Sequence, residues 1–101
     1  MDQFTAMTGP VPGFVALFAE AMIAHATAQD IPEATATRAI RQLFLSAGHS
    51  MASGTATPAE QVQAMIDYAG TTAAGLEALR DGPLAQEVSR GLSAAVARAR
   101  A

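Results

Sequence analysis

The 101-residue sequence contains no cysteine, which removes a disulfide scaffold, a thiolate zinc site and a cysteine nucleophile at one stroke. Aromatic residues make up only 5% of the chain and β-branched residues adjoin only once, at Thr71-Thr72, so the raw material of a sheet is scarce. Charge is thin as well. Only 15% of residues are charged, and 6 Lys+Arg against 9 Asp+Glu leave a net charge of -3, which excludes a basic nucleic-acid binder. The first 37 residues hold no Lys or Arg, so the basic leader of a signal peptide is missing. Long apolar runs are also lacking. The most apolar stretch, residues 14–28, is interrupted by Glu20 and His25 and bounded by Pro12 and Asp30, short of the roughly 20 apolar residues that a spanning helix needs. These absences give the expectation of a cytoplasmic chain with neither membrane nor nucleic acid among its partners.

What is present is alanine, roughly a quarter of the residues, within a composition that is 50% apolar. Alanine is the strongest helix former, and a mean hydropathy of +0.22 is high for a soluble chain of this size. A chain this short buries only about 60–70% of its unfolded surface around one core. The expectation is a single all-α domain over residues 1–101 whose surplus apolar surface is covered by other copies, as a homodimer or a larger homo-oligomer.

Punctuation divides the chain into about five helices. The first starts after Gly9-Pro10-Val11-Pro12 and covers residues 13–29, with Phe14, Leu17, Phe18, Ala21, Met22 and His25 recurring at helical spacing. The second opens at Asp30-Ile31-Pro32-Glu33 and runs to Ser53 before Gly54, with Ile40, Leu43, Phe44 and Ala47 as its apolar stripe. Thr57-Pro58-Ala59-Glu60 reads as a capping box opening a third helix through Val62, Met65 and Ile66 to about Asp67. A fourth covers residues 73–80, and Asp81-Gly82-Pro83 separates it from a last helix over residues 84–100. Phe14, Phe18, Phe44, Met22 and Met65 are expected in the core, and small residues such as Ala21, Ala24 and Ala28 let helix axes approach closely. Glu20, alone among apolar neighbours, is either a solvated edge residue or an inter-subunit partner for Arg38 or Arg41.

Few constellations carry chemistry. The eight glycines never fall in the G-x-G-x-x-G or P-loop order, so this chain is not expected to bind a dinucleotide by itself. His25 and His49 lie on different helices without a suitably spaced carboxylate and read as ordinary packed or surface histidines, with no metal site. Arg90, Arg98 and Arg100 suit the negative end of the last helix. The most informative stretch is Gly70-Thr71-Thr72, which leads straight into a helix. Unpaired amides at a helix start favour an anion such as a carboxylate, while a plain N-cap is the other reading of the same residues.

A resemblance bears on that choice. Thr5-Ala6-Met7-Thr8-Gly9-Pro10-Val11-Pro12-Gly13-Phe14, Glu20-Ala21, Ile31-Pro32-Glu33-Ala34, Thr57-Pro58 and Ala69-Gly70-Thr71-Thr72-Ala73-Ala74-Gly75-Leu76 follow one another as in the C-terminal domain of pyrroline-5-carboxylate reductases, which the chain resembles over nearly its whole length. The resemblance implies an all-helical domain that forms an interleaved dimer. It also implies an NAD(P)H-binding Rossmann domain outside this chain, and reduction of a cyclic imino acid to proline at a site shared between the two domains. Carried over, Gly70, Thr71 and Thr72 form the substrate-binding turn that holds the carboxylate, and the Thr72 hydroxyl faces the ring nitrogen as the catalytic contact. The isolated segment is expected to dimerise and not to turn over.

Departures from the family pattern fall on the site. Asp67-Tyr68-Ala69-Gly70 stands where the family has Ser-Pro-Gly-Gly, which deletes a hydroxyl and adds an anion. Asp67 is expected to repel a substrate carboxylate unless its side chain turns to another partner. Gly9-Pro10-Val11-Pro12-Gly13-Phe14 likewise replaces Gly-Ser-Gly-Pro-Ala-Tyr. Two alternatives follow: a stand-alone helical oligomerisation module that has lost catalysis, or the domain of a related reductase with a different substrate.

Overall fold

The structure, a computed structural model, describes residues 3–100, and among them every regular element is an α-helix. Six helices follow in order: α1 (Gln3–Thr8), α2 (Val11–Ala28), α3 (Glu33–Ser53), α4 (Pro58–Tyr68), α5 (Thr71–Asp81) and α6 (Leu84–Arg100). The all-α class stands, and α2 to α6 are the five expected helices with ends shifted by a few residues. The added element is α1. It fits into the segment ahead of Pro10, where Gly9 N–H still donates to the Thr5 carbonyl at 2.9 Å and Pro10 then takes the N-cap of α2.

Helix ends follow local chemistry. Asp30, expected to open α3, instead closes α2. Its amide donates to the Thr27 carbonyl and the Ile31 amide to the Ala26 carbonyl, a Schellman ending that places Asp30 at φ 67°. Hydroxyls close the last turns of α1, α2 and α3, where Thr8 donates to Phe4 (3.0 Å), Thr27 to Ile23 (2.9 Å) and Ser53 to His49 (2.6 Å), each through a main-chain carbonyl. The capping box of α4 forms as expected: the Glu60 amide donates to Thr57 Oγ1 at 3.1 Å and the Thr57 amide to Glu60 Oε1 at 2.7 Å.

The described residues form two compact units. One is Pro10–Gly54, in which α2 packs on α3; the other joins residues 3–9 to 55–100, in which α1 packs on α6, α4 on α5 and α5 on α6. The buried hydrophobic residues are Ala36 in the first unit and Ala6, Ala73 and Val96 in the second. Small side chains at these crossings let helix axes come close, but they fill little volume.

The expected core is therefore not closed by this chain alone. Phe18 and Met65 are exposed, Phe14, Met22 and Phe44 are half-buried, and Phe18 meets Phe44 edge-on with ring centroids 6.1 Å apart. The chain exposes 7818 Å². Two separate compact halves of a 10.3 kDa chain would together expose about 6,500 Å², leaving an excess of roughly 1,300 Å². A standard interface takes about 800 Å² per partner, so the excess suffices for one.

Candidate functional site

The turn between α4 and α5 is built by a backbone that few residues tolerate. The Ala69 amide closes α4 on the Ile66 carbonyl at 3.0 Å, and Ala69 then adopts φ 70°, ψ -171°. Gly70 follows at φ 88°, ψ -157°. Both lie in a region occupied almost solely by glycine, so Gly70 is at ease there and Ala69 is strained.

Two consecutive extended positive-φ residues reverse the chain in the space of one turn. As a result α5 starts abruptly, with Gly70 as a cap that offers no side chain. The first bond closing the helix runs from the Ala74 amide to the Gly70 carbonyl at 3.2 Å. The amides of Thr71, Thr72 and Ala73 precede it and have no acceptor among the described residues. At α4 the Thr57 hydroxyl occupies the corresponding place. Uncapped amides with the positive end of a helix behind them can bind a carboxylate.

Three neighbours shape the approach to this turn. Thr72 shares a concavity of about 290 Å³ with Ala64, Met65 and Tyr68. Tyr68 is 91% exposed. Asp67, the anion expected to repel a ligand, accepts a hydrogen bond from Gln63 Nε2 at 2.8 Å and is thereby held along α4. Gln63 was not among the expected site residues. Its signal was nonetheless legible, because positions four apart on a helix are neighbours.

Gly70, Thr71 and Thr72 therefore come together as a single turn. The other candidates lie apart from it. His25 and His49 are exposed on α2 and α3, and no group of three metal-ligating side chains occurs among the described residues. At the α4 start, hydrogen bonds from the Thr57 amide first, and from its side chain second, hold the Glu60 carboxyl below the usual carboxylate range. That shift belongs to the cap.

Residues 4–28 pose a separate question. With α1 leading into α2, the stretch Phe4–Ala28 is long and apolar enough to cross a membrane by length and composition, a finding that residues 14–28 alone did not suggest. A helix buried on every side among protein helices has the same composition.

An all-helical chain with a core of small residues and large exposed apolar side chains is suited to association with other copies. The comparison with family models agrees: residues 1–101 match the family described as pyrroline-5-carboxylate reductase dimerisation. The chain belongs to that family. The comparison with curated proteins and that with solved structures returned no match.

Proposed function

We propose that this chain is the dimerisation and substrate-side domain of a pyrroline-5-carboxylate reductase-like oxidoreductase, acting in the cytoplasm in the reduction of a cyclic imino acid to proline. The observation that carries the reading is the uncapped α5 start at Gly70, Thr71 and Thr72, beside an apolar concavity and within a domain of this family. In this reading the amides of Thr71, Thr72 and Ala73 hold the substrate carboxylate through charge-assisted hydrogen bonds. The ring lies against Met65 and Tyr68. The ring reacts as the protonated imine: its N–H donates to Thr72 Oγ1, which orients the imine carbon toward the hydride donor, and the nitrogen keeps that proton as the product amine when hydride adds to carbon.

NAD(P)H supplies the hydride in such enzymes. Residues to hold it are not found here: the glycines lack dinucleotide spacing, and no strand precedes a helix among the described residues. The domain's own work is thus to bind, orient and dimerise. Asp67 is compatible with a carboxylate ligand because Gln63 engages it, and Asp67→Asn should strengthen anion binding about two- to threefold by removing a nearby like charge.

Amide-resolved NMR titrations with L-proline and with acetate test the reading. Both should shift Thr71, Thr72 and Ala73, and Thr72→Ala should weaken proline more than acetate. Silence at these three amides would sink the site. Oxidation of NAD(P)H by the isolated chain with pyrroline-5-carboxylate would sink the assignment of the cofactor to another domain.

A second reading rests on Asp67 and Tyr68 standing where the family pattern has Ser-Pro: a helical oligomerisation module without catalysis. A dimer whose α5 amides ignore both ligands selects it. If the α5 amides bind acetate and not proline, the domain of a related reductase with another substrate is selected instead.

A further inference from the structure

Tyr68 is the only tyrosine of the chain and, among the described residues, its most exposed large apolar side chain. No hydrogen bond or ring contact engages it among those residues. Exposure of a single ring is ordinary; its position is not. Tyr68 ends α4, so the helix fixes its backbone on one side and the reversal at Ala69 and Gly70 fixes it on the other. Its ring lines the concavity of about 290 Å³ that reaches Thr72, and Ala64 and Met65 add a methyl group and a thioether to the same wall. At ~30 Å³ for each water-sized group, that concavity holds about ten, roughly twice what a five-membered ring fills.

We propose, resting on the carboxylate site assigned above to the α5 start, that the substrate is a cyclic imino acid enlarged by an aromatic or other flat apolar group on the side away from its carboxylate, and that Tyr68 selects it by stacking on that group. With the carboxylate on the α5 amides and the ring nitrogen on Thr72, the rest of the ligand has only Ala64, Met65 and Tyr68 to meet. A bare five-membered ring leaves most of the tyrosine face in water. A flat group covers it, and the area buried together with the ring-on-ring geometry strengthens binding by about tenfold. Tyrosine suits this task because ordering its two side-chain torsions costs little conformational entropy. Thr72 keeps its place at the reacting nitrogen, so Tyr68 determines specificity and does not take part in the chemistry.

Acetate and phenylacetate are the probes, since they share a carboxylate and differ by a phenyl ring. In amide-resolved NMR titrations both should shift Thr71, Thr72 and Ala73, and phenylacetate should bind about tenfold more tightly than acetate. Tyr68→Phe should keep that preference, and Tyr68→Ala should reduce it to about twofold or less, each variant retaining the helical circular dichroism of the parent. Equal affinities in the parent, or a preference that survives Tyr68→Ala, overturn the proposal and leave the carboxylate site standing. A preference lost in Tyr68→Phe belongs to the hydroxyl and overturns stacking. A Tyr68→Ala chain whose dimer weakens in sedimentation equilibrium while its ligand preference persists assigns the ring to the contact between copies and likewise overturns the proposal. Acetate that shifts none of the three amides removes the carboxylate site and this proposal together.

Discussion

Replacing Ala69 by glycine should stabilise the protein, although it removes a side chain and adds freedom to the unfolded state. Ala69 sits at φ 70°, ψ -171°, where a Cβ clashes with its own backbone. A residue held in such a region carries about 1–3 kcal/mol of strain. Glycine loses that strain and gives back roughly 0.5–1 kcal/mol through the more flexible unfolded chain. The net gain is about 0.5–2 kcal/mol. For a domain of about 100 residues, each 1 kcal/mol moves the melting midpoint by roughly 4–8 °C, so Ala69→Gly should melt several degrees above the parent. Circular dichroism at a fixed chain concentration measures it, since association makes the midpoint concentration-dependent. The family pattern carries glycine at this position, which agrees with the sign. A midpoint equal to or below the parent's would refute the reasoning, because no contact is lost that could offset the relief of strain.

Gly70→Ala should act in the opposite direction. An added Cβ meets no atom within 4 Å, so the loss of about 1–2 kcal/mol comes from the backbone at φ 88° alone, and a thermal melt reads it. Asp30→Gly should raise stability by about 0.5 kcal/mol, because Asp30 occupies the left-handed end of α2 at φ 67°, where glycine is freer; urea titration measures the change. Thr57→Ala should cost about 1 kcal/mol by uncapping α4. The same cap sets a pH dependence. Glu60 titrates below its unfolded value, so its contribution is fully present above the unfolded carboxylate range and is lost as pH falls through the folded value. Glu87, lowered by its hydrogen bond and charge contact with Arg90, acts with the same sign. Acid titration of helix content should therefore fall less steeply in Thr57→Ala than in the parent.

Much of this molecule could be read from its residues because its signals are local. Prolines at positions 10, 12, 32, 58 and 83 and glycines at 54, 70 and 82 mark helix ends, and the alanine content decides the class. Thr57 and Glu60 identify their own hydrogen bonds by spacing alone. The core did not follow in the same way. Periodicity shows which residues share a helix face, but not whether the covering partner belongs to the same chain. Phe18 and Met65 are apolar at helical spacing and are nevertheless exposed.

The sequence by itself determined an all-helical chain, the five long helices, the capping box and the Gly70-Thr71-Thr72 turn, since each depends on chemistry within a few neighbouring residues. The tertiary structure decided the rest. It bent Ala69 into a conformation reserved for glycine and left α2 covered on one side, because these outcomes depend on where the chain must go next and on what packs against it.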